Sequence, residues 1–195
     1  MNRIIKLLLI SDIFVLTGFG LMQPILAIFI KDNLVGGTIF SAGLASMLFI
    51  ITKSFVQLPF SRFVDRRNRI FEVRGLIVGT VLISIVPFIY ILSNHIYFIY
   101  IAQVIYGIGS GLAYPPWFDM WTRNLDKKNR SYEWSLYSTL TGLGAGAAAV
   151  IGAVVAQYFG FVYTFLLVGA MSMIGCLILV KLENMLPRRK AKRKE

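Results

Sequence analysis

Two ionisable side chains stand inside long apolar runs and are the residues best placed to do chemistry. Asp12 follows Leu7-Leu8-Leu9-Ile10-Ser11, and Lys53 follows Phe49-Ile50-Ile51-Thr52. Each costs ~2.5–3.5 kcal/mol at mid-bilayer on insertion scales, so each needs a function or a partner. A carboxyl group at that depth is suited to take up and release a proton. A lysine at similar depth can pair with it or share a water-filled cavity. The competing reading is a structural salt bridge, or a lysine that snorkels to the interface. Other chemistries lack their residues. There is one histidine, His95, and one cysteine, Cys176, so neither a His/Cys metal cluster nor an intrachain disulfide is available. No nucleophile–base set is recognisable, and no G-x-x-x-x-G-K-[ST] run suggests an ATP-driven pump. Neither an enzyme nor a cofactor is expected.

The elements that must hold Asp12 and Lys53 are membrane helices. The chain has 195 residues, 57% hydrophobic and 15% charged; soluble domains carry ~25% charge. Six apolar segments, roughly 4–30, 38–60, 75–93, 96–118, 135–157 and 161–181, are each near the ~20 residues that cross a ~30 Å hydrocarbon core. None alternates as a barrel strand would. The first is too long for a signal-peptide core and has no small-x-small cleavage site, so it reads as a retained helix. Asp12 lies about eight residues into span 1, ~12 Å deep at 1.5 Å per residue, and Lys53 is about as far from the end of span 2.

The net charge of +11 is explained by topology. Arg3 and Lys6 precede span 1. Five arginines, including Arg62, Arg66 and Arg69, lie between spans 2 and 3. Arg123, Lys127, Lys128 and Arg130 lie between spans 4 and 5, and Lys181 with the tail PRRKAKRKE follows span 6. Only Lys31 falls on the other side. The positive-inside rule predicts both termini in the cytoplasm, in a plasma or inner membrane. Nucleic acid is not needed to account for the charge, and the tail is suited to anionic lipid headgroups.

An internal repeat is visible. Gly18-Phe19-Gly20-Leu21-Met22-Gln23-Pro24 and Gly109-Ser110-Gly111-Leu112-Ala113-Tyr114-Pro115 both read G-x-G-L-x-x-P, 91 residues apart. Leu76-Ile77-Val78-Gly79 and Leu166-Leu167-Val168-Gly169 repeat at 90. Two copies of three spans cross the bilayer in opposite directions, an inverted repeat of the kind found in secondary transporters. The predicted fold is an all-α integral membrane protein: a six-helix bundle over 1–182, with repeats at about 1–94 and 95–182, and a basic tail at 183–195. Span 5 carries Gly142-x-x-x-Gly146, Ala148, Gly152 and Ala156, a small-residue face for packing within the bundle or against a partner.

The loop after span 2, Ser61-Arg62-Phe63-Val64-Asp65-Arg66-Arg67-Asn68-Arg69-Ile70, resembles the major facilitator superfamily signature G-x-x-x-D-R-x-G-R-[RK]. Asp65, Arg66 and Arg69 match. Ser61 and Asn68 replace glycines, and Ile70 replaces a base. Asn is the next best residue for a left-handed turn. Span 4 has Gln103 and Gly107 where the family often has R-x-x-x-G. Span 5 is glycine-rich like the family's fifth helix, without its antiporter Gly-Pro pair, and YFGF at 158–161 also fits. The chain resembles the first six-helix half of a twelve-helix family member.

The resemblance implies a secondary active transporter working by alternating access, with helices 1 and 4 lining the cavity. Gln23 and Gln103, at similar depth on those helices, are then candidates for substrate contact or for an interhelical hydrogen bond. Tyr106, Tyr114 and Trp117 are candidates to stack on substrate, with Trp117 alternatively an interfacial anchor. Asp65, Arg66 and Arg69 are implied to latch two halves, and Asp119 is a surface or gate residue. The expected partners are a second copy in a parallel homodimer, a small-molecule substrate (sugar-like, or an amphipathic drug), a proton or other ion, and lipid. Proton symport is the expected mode, with uptake and export both open. The alternatives are a non-transporting assembly partner and one half of a longer transporter.

Overall fold

The computed structural model describes residues 2–66 and 68–185. Its helices are α1 (Arg3–Met22), α2 (Leu26–Asn33), α3 (Ile39–Asp65), α4 (Arg69–Ile91), α5 (Ile96–Asn124), α6 (Arg130–Phe159) and α7 (Phe161–Met185). Among the described residues six helices are long and apolar enough to cross a membrane, all but α2. The tail PRRKAKRKE and Arg67 lie outside the described residues.

Span 1 is two helices rather than one. Pro24 has no N–H to donate and its ring crowds the carbonyl one turn back. The Gln23 N–H still reaches Phe19 O, but Ile25 bonds only as far back as Met22 O, at 3.1 Å, before α2 starts. At the face carrying the termini, helices run past the apolar segments: α3 continues to Asp65, α4 begins at Arg69, and α5 continues to Asn124.

Caps explain several starts. Thr38 and Ser41 form a reciprocal capping box at α3. Asn68 caps α4, its side chain accepting from the Phe71 N–H at 3.0 Å. Its φ of −85° and ψ of 163° are extended, which corrects the left-handed turn expected there. Helix capping is the other role asparagine fills well. The reversal between α6 and α7 does need a positive φ, supplied by Gly160 at 94°.

α1 packs on α6 and α7, α5 packs on α3 and α4, and α4 packs on α7. Exchanging α1 with α5, α3 with α6 and α4 with α7 leaves these interfaces unchanged. The α4–α5 crossing is very close: a Cβ on Gly79 would stand 2.5 Å from Gly109 O, and one on Gly109 would stand 2.8 Å from Gly79 O. Its counterpart brings Gly18 of α1 against Val168 and Met171 of α7. α3 and α6 are the least buried spans. On them, Gly43, Gly142 and Gly146 face open space, whereas Gly144 meets Thr17 and Gly152 meets the Leu21 backbone. The span 5 small-residue face is therefore split between bundle packing and an open side.

Candidate functional site

Two chambers lie between the helices. The inner one, about 310 Å³ and nearer the terminal face, is lined by Asp12, Lys53, Tyr106, Tyr114, Trp117 and Tyr137 among others. The outer one, about 620 Å³, is lined by Gln23, Gln103, Tyr106, Ser46, Ser138 and Thr141 among others. They share Leu16, Phe19, Phe49 and Tyr106. The Tyr106 ring is stacked between Phe19, at 4.8 Å, and Phe49, at 4.3 Å, so an aromatic partition of α1, α3 and α5 side chains stands between them.

Asp12 and Lys53 share the inner chamber without pairing. Asp12 Oδ2 accepts a hydrogen bond from the Tyr137 hydroxyl at 2.9 Å. The Lys53 ammonium lies over the Tyr114 ring, 5.0 Å from its centroid, a cation–π contact. Among the described residues no carboxylate lies within ion-pair distance of Lys53. The structural salt bridge is thus replaced by two separate contacts across one cavity.

Trp117 is 6% exposed. It stacks on Trp121 at 5.5 Å and packs on Tyr137 at 5.2 Å. That burial within the bundle overturns the interfacial-anchor alternative. Its Nε1–H is buried with no hydrogen-bond partner among the described residues.

The substrate candidates are therefore divided. Tyr106, Tyr114 and Trp117 join Asp12 in the inner chamber, while Gln23 and the buried Gln103 line the outer one. A third cleft, between α3 and α5 at the terminal face, holds Asp65 and Asp119 and shares Tyr114 with the inner chamber. Arg66 ends α3 as its C-cap. Arg69 is placed apart, in a small crevice with Ile4, Met120, Arg123, Asn124 and Leu182.

Asp119 pairs with Arg123 at 3.1 Å, and Arg123 also pairs with Glu72, which is 3% exposed. On the same face Glu133 is buried and accepts the Asp126 N–H at 3.1 Å. Arg74 and Glu183 join α4 to α7 at 2.8 Å.

Sequence reasoning missed Tyr137, the Phe19–Phe49 partition and the Glu72–Arg123 pair. Tyr137 had a signal: Trp134, Tyr137, Ser138 and Thr141 fall at helical spacing and mark an inward polar face of α6. Glu72 was hidden because the apolar run starts at Gly75 while the helix starts at Arg69. Phe19 and Phe49 had none, since phenylalanine is equally at home facing lipid.

Six apolar spans thus surround a divided cavity that holds Asp12 and Lys53. The chain belongs to the Major Facilitator Superfamily, whose family model matches residues 8–195. These are transporters, not enzymes. In fold the chain is similar to the POT family transporter PepTSo, solved by in meso crystallography, with a TM-score of 0.81 at 14% identity, covering 100% of this chain and 40% of that one. It is also similar to an auto-inhibited POT family peptide transporter, with a TM-score of 0.78 at 16% identity and the same coverages, 100% and 40%. The chain thus spans about 40% of the length of these structures. No similar sequence is found among the curated proteins.

Proposed function

We infer that this bundle is one wall of a secondary active transporter for a small organic solute, coupled to protons through Asp12 and completed by an identical copy inserted the same way up. The observation that carries this is the inner chamber. A membrane-embedded carboxylate is held by one hydrogen bond, from Tyr137, and faces a cavity that also holds Lys53. Such a group exchanges a proton with little rearrangement, and its charge state alters the field in which a solute binds.

The interfaces that survive exchange of α1–α4 with α5–α7 support an inverted repeat, and the aromatic partition supports alternating access. The basic terminal face supports cytoplasmic termini in a plasma membrane. The open glycines of α3 and α6 support contact with a mate through those helices. Two parallel copies reproduce the two-fold relation between the halves of a full transporter. Asp65, Arg66 and Asp119 act at the cytoplasmic edge of that contact as the latch, with Arg69 set back from it in its crevice between α1, α5 and α7. Substrate contact falls to Tyr106, Tyr114 and Trp117 in the inner chamber, and to Gln23 and Gln103 in the outer one.

A second reading is favoured by the 40% coverage of the similar structures: the mate is a non-identical half. Crosslinking separates the two. With Cys176→Ala as background, Gly146→Cys copies crosslink to one another in the first reading and stay single in the second.

The test of transport is reconstitution of the full chain into liposomes containing a pH-sensitive dye. Solute flux should follow an imposed pH gradient and lose that dependence in Asp12→Asn. Flux with unchanged proton dependence in that variant would end the coupling assignment.

A further inference from the structure

We propose that the inner chamber selects small organic monoanions with a ring or short apolar body, each entering together with the proton on Asp12. This rests on the proton-coupled reading of Asp12.

Hydrogen-bonding capacity is the first argument. Asp12, the one carboxylate among the described residues lining the chamber, already accepts from Tyr137. The Ser11 hydroxyl is used on Gly175 O at 2.9 Å, and the Thr80 hydroxyl on Leu76 O at 2.8 Å. The Ser110, Tyr106 and Tyr114 hydroxyls can donate or accept, but two donors among the described lining residues can only donate. One is the Lys53 ammonium, whose contact is the Tyr114 ring. The other is the Trp117 Nε1–H, buried without a partner. A buried donor without an acceptor is costly, so a ligand that brings acceptor oxygens is favoured over one that brings donors.

Charge is the second. Among the lining side chains α1 contributes Asp12, α3 contributes Lys53, α6 contributes Tyr137, and α5 contributes Tyr106 and Tyr114. From α4 come only Leu76, Thr80 and Ile83, and no described α7 residue lines the chamber. With Asp12 ionised the two formal charges cancel. With Asp12 protonated the charge on Lys53 is unmatched, and an anion restores neutrality; a cation would add a second positive charge beside it. Proton and anion therefore raise one another's affinity by the same factor. Lys53 gains a full counter-charge in place of a ring quadrupole. The aromatic walls and the 310 Å³ volume suit a compact apolar body.

The experiment follows intrinsic tryptophan fluorescence of the full chain in lipid nanodiscs, titrated with three matched one-ring probes: benzoate, benzamide and benzylammonium. Benzoate should bind most tightly, more so at mildly acidic than at mildly alkaline pH, with proton uptake from weakly buffered solution. Lys53→Gln should weaken benzoate roughly tenfold or more, as expected for loss of a charge-assisted hydrogen bond. Lys53→Arg should keep the preference, and Asp12→Asn should make benzoate binding independent of pH. No benzoate binding, equal or tighter binding of benzamide or benzylammonium, or an intact benzoate preference in Lys53→Gln overturns the proposal. The readout needs no gradient, so anion selection can fail while Asp12-dependent flux persists, and the reverse.

Discussion

The Tyr137 hydroxyl donates to Asp12 Oδ2 at 2.9 Å, joining α6 to α1 across 125 residues of chain. The bond ties the carboxylate that stands within an apolar run to a helix whose other side is open. Tyr137→Phe removes only the donor. We expect it to cost about 1.5–3 kcal/mol, the range for a hydrogen bond to a charged group. A lowered melting temperature in detergent checks this. Asp12→Asn keeps an acceptor for Tyr137 and should melt within a few degrees of the parent.

Tyr106 between Phe19 and Phe49 separates the chambers. Tyr106→Ala should open a path between them, and Tyr106→Phe should not. With Cys176→Ala as background, a membrane-impermeant thiol reagent supplied from outside should reach Gln23→Cys in every variant. It should label Ser110→Cys, in the inner chamber, much faster when Tyr106→Ala is present. Equal labelling of Ser110→Cys with and without the tyrosine would remove the partition from the account.

Glu72 is 3% exposed and its partner Arg123 has 37% side-chain exposure. Removing the partner of a fully buried charge costs about 3–5 kcal/mol, and the exposure of Arg123 puts this pair at or below the lower end. Arg123→Ala should therefore destabilise the bundle, and adding Glu72→Gln should restore part of the loss. Melting temperatures of the two single variants and the double variant close that cycle.

Glycine substitutions should divide by location. Gly79→Ala places a methyl 2.5 Å from Gly109 O, so α4 and α5 must separate and thermal stability should fall. Gly146→Ala meets nothing within 4 Å and should leave the single bundle unchanged or stabilise it by about 0.5–1 kcal/mol. Gly146→Leu should reduce dimer captured by an amine-reactive crosslinker while sparing the melting temperature of the single bundle.

At the α5–α6 connection the Asp126 carboxylate accepts the Lys128 N–H at 3.0 Å and the Asn129 side-chain amide at 3.1 Å. The Lys128 bond first, then that of Asn129, hold its pKa below the usual 3.8. A carboxyl lowered on folding adds stability that is present above its unfolded pKa and lost as pH falls through the lowered value. Asp126→Ala should loosen this connection at neutral pH, read as faster amide exchange at Lys128 and Asn129. The difference from the parent should shrink in strong acid.

Hydropathy and charge placement were enough to define six crossings, a shared side for the termini, and Asp12 and Lys53 as the residues that need explaining. These are local properties: a run of apolar residues is long enough or it is not, and a charge within it carries its insertion cost wherever the helix packs. The repeated glycines were legible for the same reason, and Gly79 and Gly109 among them proved to sit at a close helix crossing.

What meets what was decided by the tertiary structure. Whether Asp12 faces Lys53 or Tyr137 depends on the rotation of α1, α3 and α6 about their axes. That rotation is set by crossings such as Gly79 on Gly109 and Gly18 on Val168, which involve neither charged side chain. A turn of one residue, ~100° in a helix of 3.6 residues per turn, would point Asp12 elsewhere with no change in hydropathy. The partition of Phe19, Tyr106 and Phe49 and the pairing of Glu72 with Arg123 arise in the same way, from helices brought into register by packing rather than by their own sequence.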